Sequence, residues 1–180
     1  MDLEDRLRKV RLLALDVDGV LTDGTINIGA CGELFKGFNA KDGLGISCAL
    51  KNGLEIAVIT GRRSEIIHRR AEELGIRFLL EGVRQKGREL DRISAELGLS
   101  REETAYMGDD LNDLPAFMTA GMAFAPADAS EDVKKYAAAV TAACGGRGAV
   151  REVIEMILRA QGKWERIAAS YTEEGQGDRQ

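Results

Sequence analysis

Five short apolar runs, at residues 11–17, 55–60, 76–80, 104–107 and 121–125, alternate with amphipathic segments along this chain. Runs of this length and composition predict strands buried on both faces, and the segments between them predict helices. Residues 64–74 place Ile67, Ala71 and Leu74 on one helical face, with Ser64 as cap and Gly75 as stop. Residues 86–97 repeat the pattern with Leu90, Ile93 and Leu97 and stop at Gly98. Further helices are expected over 111–119 and 149–160, and Ser100 with Glu103 forms a capping-box pattern ahead of the fourth strand. This alternation predicts an α/β fold, a Rossmann-like and mainly parallel sheet with helices on both faces and right-handed crossovers. One stretch breaks the rhythm. Residues 24–38 read as a small β-hairpin inserted after the first strand, with its turn at 29–32.

Composition narrows the function classes. With 180 residues the chain suits a single domain over 1–171, and the polar tail 172–180 is expected to be disordered. Thirty acidic against 25 basic side chains give a net charge of −5, which argues against a nucleic-acid partner. No apolar run is long enough to span a membrane, and residues 1–9 lack the apolar stretch of a secretory signal. Cys31, Cys48 and Cys144 are odd in number and widely spaced, which fits free thiols in a cytoplasmic setting. His68 is the one histidine, so neither a histidine zinc site nor a Ser-His-Asp triad is expected. Chemistry must rest on carboxylates, hydroxyls, lysine and arginine.

The positions of the acids are the informative fact. Asp16 and Asp18 close the first strand in LDVDGVLTD, and Asp109, Asp110 and Asp113 follow the fourth in MGDDLNDLP. Thr60 ends the second strand in VITGR, and Lys86 opens a helix after the third. In a parallel sheet these groups meet at the carboxyl ends of the strands, where such folds bind ligands. Clustered carboxylates repel one another and call for a cation, and oxygen ligands without His or Cys select Mg²⁺. Such a set can run phosphoryl transfer, with one carboxylate attacking phosphorus and a second protonating the leaving oxygen. A hydroxyl, backbone N–H groups and an ammonium would hold the phosphoryl oxygens.

Taken singly, each residue has a plainer reading. Asp before Gly is ordinary turn chemistry, Asp110 or Asp113 can cap the following helix, and a helix-start lysine is usually solvated. Arg62 suits a substrate carboxylate or phosphate as well as a surface ion pair. Arg63, Arg147 and Arg151 read as surface charges, and Lys41 and Asp42 as a helix start. His68 reads as exposed, and the cysteines as small core or loop residues.

Together, DVDGVLTD, the TGR after the second strand, the separated lysine and GDDLNDLP resemble, in order, the four motifs of haloacid dehalogenase-like phosphatases. The resemblance implies Asp16 as nucleophile, Asp18 as general acid and base, and Thr60 and Lys86 as phosphoryl binders, with Gly61 and Arg62 beside them. It further implies Mg²⁺ held by the Asp16 carboxylate, the Asp18 carbonyl and Asp109, supported by Asp110 and Asp113. FNAKDGLGI at 38–46, the hairpin and GGRGAVREV at 145–153 extend the resemblance to the 3-deoxy-D-manno-octulosonate 8-phosphate (KDO 8-phosphate) phosphatase family. That family implies a cytoplasmic, Mg²⁺-dependent homotetramer acting on a sugar phosphate in lipopolysaccharide precursor synthesis. Related nine-carbon sugar-acid phosphates and a broad small-phosphate activity are the alternatives.

Spacing agrees with a site that has no cap domain. Asp18 and Thr60 stand 42 positions apart, enough for the hairpin and one helix, and Thr60 and Lys86 only 26. A neighbouring subunit is one way to close an uncapped site, and the hairpin is expected to make an oligomer contact. Gly145, Gly146 and Gly148 are expected to give a flexible reach into the neighbour's site. Phosphoacceptor receiver domains use similar groups in another order, with the acidic pair first and the lysine last. Here the lysine precedes the second acidic cluster, and the filled acid/base position favours turnover over a switch or a non-catalytic scaffold.

Overall fold

The structure, a computed structural model, describes residues 2–173. Its centre is a six-stranded sheet: β1 (Leu12–Leu15), β4 (Glu55–Ile59), β5 (Phe78–Leu80), β6 (Thr104–Met107), β7 (Met122–Ala125) and β8 (Ala139–Val140). The spatial order is β5-β4-β1-β6-β7-β8, with every neighbouring pair parallel. The chain runs outward from β1 on one side, then returns to β1's other side at β6. The order therefore reverses at β1, and a crevice opens there beyond the strand ends.

Alternation along the strands explains why helices cover both faces. Leu13 and Leu15 of β1, with Ile56 and Val58 of β4, enter one apolar cluster. Leu12, Ala14, Ala57 and Ile59 enter the other, as period-two geometry requires. The first cluster is closed by α2 (Ala40–Lys51), α3 (Glu65–Leu74) and α7 (Ala149–Ala160), and the second by α4 (Lys86–Glu96) and α5 (Leu114–Thr119). Ser64 caps α3 by accepting from the N–H of Ile67, and Gly75 ends it at φ 72°. The hairpin is β2 (Asn27–Gly29) paired antiparallel with β3 (Gly32–Phe35). Only this hairpin and α2 stand between β1 and β4, and only α3 and β5 between β4 and α4, so no cap domain is present among the described residues.

Several elements escape the apolar rhythm. At the N-terminus α1 (Leu3–Lys9) buries only Leu7, so its apolar signal is faint. The four-residue α6 (Glu131–Lys134) and two-residue β8 are too short to show a period. Beyond the expected last helix, α8 (Trp164–Glu173) folds back and buries Trp164 and Ile167 against the first cluster. Thr172 and Glu173, expected in a disordered tail, close this helix, and residues 174–180 lie outside the described residues. The helix expected over 111–119 divides into a 3₁₀ turn, Leu111–Asp113, and α5. Pro115 lacks an N–H and fits only the first turn of α5.

Candidate active site

Asp16 leaves β1 with its N–H donated to the Met107 carbonyl of β6, so the backbone ladder itself fixes the residue over the crevice. Its side chain is buried, and the ammonium of Lys86, at the first position of α4, lies 2.8 Å from Asp16 Oδ1. The same ammonium donates to Asp113 Oδ1 at 2.6 Å. Asp113 has no exposure to solvent, and its two oxygens are fully engaged. Tyr106 donates its hydroxyl to Oδ1 at 2.8 Å, while the N–H groups of Asp109 and Asp110 point to Oδ2. Asp113 thus shapes the loop that presents Asp109.

Carboxylate oxygens of Asp16, Asp109 and Asp113 lie within 4.8 Å of one another. Burial, then the charge of Asp113, pushes the Asp16 carboxyl upward against the pull of Lys86. Burial and the charges of Asp113, Asp16 and Asp110 push Asp109 up to about 7. Burial alone would draw Lys86 down, but Asp16 and Asp113 outweigh it and raise the ammonium's pKa. Three carboxylates around one ammonium leave an excess of negative charge that a divalent cation would offset. The donors are all hard oxygens, so the cluster fits Mg²⁺. Gly19 completes the wall: its φ is 90°, and a Cβ there would stand 2.1 Å from Asp109 Oδ2.

The remaining expected residues divide. Thr60 is buried at the end of β4, next to β1, and its hydroxyl accepts from the N–H of Arg62. Gly61 and Arg62 are exposed beside it. Arg62 Nε lies 3.7 Å from Asp18 Oδ2, so its observed partner is the expected acid/base residue. Asp18 stands half-buried on the turn after β1, and its expected metal contact is a backbone carbonyl rather than the side chain. Asp110 is exposed and caps the 3₁₀ turn through the N–H of Leu111, outside the carboxylate cluster. His68 is exposed, Cys48 is buried and Cys31 is exposed.

The expected flexible reach of Gly145, Gly146 and Gly148 is not what the chain shows. Their loop packs on the chain's own Asp18–Thr22 turn: a Cβ on Gly145 would stand 1.9 Å from the Gly19 carbonyl oxygen. Gly145 also donates its N–H to Asp128, Gly146 to the Val20 carbonyl, and Gly148 to Asp42. Gly145 and Gly146 permit close backbone approach behind the site, and Gly148 supplies a left-handed φ of 107° ahead of α7.

Two residues absent from the sequence-based set belong to it. Tyr106 reads as one more core residue of β6, and nothing in its apolar setting signals the bond to Asp113. Lys36, just past β3, reads as a hairpin surface charge. Yet its side chain is 2% exposed, with Nζ 2.5 Å from Asp18 Oδ1 and 2.9 Å from Glu33 Oε1. The hydroxyl of Ser64 in turn donates to Glu33. Burial would lower the Lys36 pKa, but the bonds from Asp18 and Glu33 reverse the direction. A lysine spaced two residues from apolar strand positions offers no local mark that separates buried from solvated.

Known proteins resemble this chain in sequence and fold. Residues 79–154 match the haloacid dehalogenase-like hydrolase family. The chain is 44% identical over 162 residues to the KDO 8-phosphate phosphatase of Escherichia coli, spanning 90% of this chain and 86% of that one. The crystal structure of the Yersinia pestis KDO 8-phosphate phosphatase superposes with a TM-score of 0.88 at 44% identity, covering 91% and 88% of the two chains. That of the Moraxella catarrhalis enzyme, in complex with magnesium, phosphate and KDO, gives 0.90 at 38% identity, covering 93% and 97%. With the strand order, the uncapped crevice and its acids, these likenesses make the chain a phosphatase that belongs to the KDO 8-phosphate phosphatase family of haloacid dehalogenase-like hydrolases.

Proposed function

We propose that this phosphatase hydrolyses KDO 8-phosphate, with Mg²⁺, through an aspartyl phosphate on Asp16. The observation that carries the reading is the buried Asp16–Lys86–Asp113 chain beside Asp109, at the strand ends of a fold shared with the Moraxella enzyme. Asp16 attacks phosphorus as the bond to the sugar oxygen breaks, and Asp18 gives that oxygen its proton. Asp18 then takes a proton from the water that cleaves the acyl phosphate. The Thr60 hydroxyl, the Gly61 N–H and the Lys86 ammonium hold the phosphoryl oxygens where charge builds. Arg62, exposed at the mouth, suits the sugar acid's carboxylate. Asp16, the Asp18 carbonyl and Asp109 would hold the metal, with Asp113 ordering the Asp109 loop and Asp110 capping it. Bound there, Mg²⁺ supplies Lewis-acid stabilisation of the transferring phosphoryl group.

The proposal extends to assembly and place. Ile28, Leu34 and Phe35 expose apolar surface on the hairpin at 67%, 63% and 59%, which supports packing between subunits in a homotetramer. Among the described residues no helix is long and apolar enough to cross a membrane, and a cytoplasmic role in lipopolysaccharide precursor synthesis fits that.

Phosphate release from KDO 8-phosphate beside a panel of sugar phosphates tests the reading. Selective turnover with Mg²⁺ is expected, and Asp16→Asn should lose about 10³-fold or more. Even turnover across the panel would sink the specific substrate, and no release from any member would sink the catalytic reading. Metal binding has its own readout. Mg²⁺ at a hundred times its dissociation constant should stabilise the wild type by about 2.7 kcal/mol, and Asp109→Asn should remove that shift.

A further inference from the structure

The hairpin carries Lys36 into the site from outside the sheet. Its neighbours Leu34 and Phe35 are exposed, while its own side chain is buried between Asp18 and Glu33. Burying an ammonium is unfavourable unless carboxylates meet it, so those two acids fix where Lys36 can sit. Its Nζ occupies Asp18 Oδ1 at 2.5 Å, and the other carboxylate oxygen, Oδ2, lies on the side of the exposed Arg62. Glu33 extends the tie by accepting from Ser64 Oγ at the start of α3, four residues beyond Thr60. One buried lysine therefore links the turn carrying Asp18 to the turn that follows Thr60.

We propose that Lys36 is a positioning residue for proton transfer at Asp18: by holding Oδ1 it turns Oδ2 toward the leaving oxygen. The inference rests on Asp18 acting as the acid and base. In the first step Oδ2–H gives its proton to the bridging oxygen as the P–O bond to the sugar breaks. In the second, Oδ2 takes a proton from the attacking water. Lys36 stays an ammonium on Oδ1 throughout and donates no proton to substrate. The hairpin is then part of the catalytic apparatus as well as a candidate subunit contact.

A leaving-group comparison separates this role from a structural one. A sugar alkoxide needs a proton as it departs, whereas p-nitrophenolate leaves without one. The ratio kcat/KM reports the steps up to the first irreversible one, so it isolates departure from the later hydrolysis. In Lys36→Met, kcat/KM for KDO 8-phosphate should fall about 10- to 100-fold, part of the 10²–10⁴-fold that general acid catalysis supplies. For p-nitrophenyl phosphate it should change by less than about threefold, because no proton is required there. Lys36→Arg, which keeps the charge and the donors, should recover most of the loss. Equal losses on both substrates, or no loss on either, overturn the inference. If Lys36→Met does not fold, Lys36→Gln, which keeps a donor, is read against the same ratio and should show a smaller effect in the same direction. Asp18→Asn is the reference. If it lacks the leaving-group asymmetry, the acid–base reading falls and the inference with it. If Asp18→Asn shows the asymmetry and Lys36→Met does not, the inference alone fails.

Discussion

Two buried lysines bridge carboxylates in this molecule, one on the flank of the main sheet and one on the hairpin. Lys86 joins Asp16 and Asp113, whose side chains are 7% and 0% exposed. Lys36 joins Asp18 and Glu33, at 19% and 17%. The ammonium groups are equally hidden, but their partners are not. Around Lys86 water is excluded, so each charge depends on the others and on the bonds from Tyr106 and the Asp109 loop. Around Lys36 the carboxylates keep some solvent, which screens their charge. The first arrangement is therefore part of the fold's interior, and the second is a tether between the hairpin and the turn after β1.

The sharpest test of that contrast is to remove each lysine in turn. Lys86→Met leaves two buried acids facing each other and should cost about 3–5 kcal/mol in urea unfolding, the usual consequence of breaking a buried pair. Lys36→Met should cost less, about 1.5–3 kcal/mol, the range for hydrogen bonds to charged groups. Equal losses would mean that the hairpin is as integral as the sheet edge and would break the comparison.

The two regions also differ in how far the sequence announces them. Asp16, Thr60 and Asp109 stand at the ends of apolar runs, so a parallel sheet brings them together once the strands are recognised. Five of the sheet's six strands, the helices on both faces and the uncapped connections follow from the same rhythm, and only the short β8 does not. Lys36 and Tyr106 carry no such signal. Periodicity reports which face of an element is buried, but a single polar contact across the chain depends on tertiary placement. The glycine loop at 145–148 shows the same limit: its composition suggested reach, while its neighbours impose close packing. Asp110 illustrates a third case, in which a capping role and a metal role share one residue type and only the 3₁₀ turn separates them.

A smaller change probes the edge cluster from its apolar side. Tyr106→Phe deletes one donor to Asp113 and leaves Lys86 and the Asp109 N–H in place. A buried oxygen left short of one hydrogen bond should cost about 1–3 kcal/mol, below the loss from Lys86→Met. If the Asp109 loop relies on Asp113 as the bonds suggest, the Mg²⁺-dependent thermal shift should shrink as well. An unchanged shift together with unchanged stability would remove Tyr106 from the site.

A third buried acid has no lysine and gives the smallest, most specific test. Asp42 on α2 is 2% exposed and accepts from the N–H groups of Gly148 and Arg151 at the start of α7. Burial raises its carboxyl above the ordinary value, and the two N–H bonds and the charge of Arg151 only partly offset that. Because the folded pKa is the higher one, the fold favours the protonated form. Wild-type stability should therefore be unaffected by this group below about pH 4, the ordinary carboxylate value, and fall as pH rises from there through the raised value. Asp42→Asn cannot titrate, so the fall should be missing from it. Urea unfolding of both proteins across pH should show the wild type losing ground to the variant over that window, then a constant gap. A gap that moves in the wild type's favour with rising pH would mean that the α7 N-terminus holds Asp42 ionised as firmly as a lysine would.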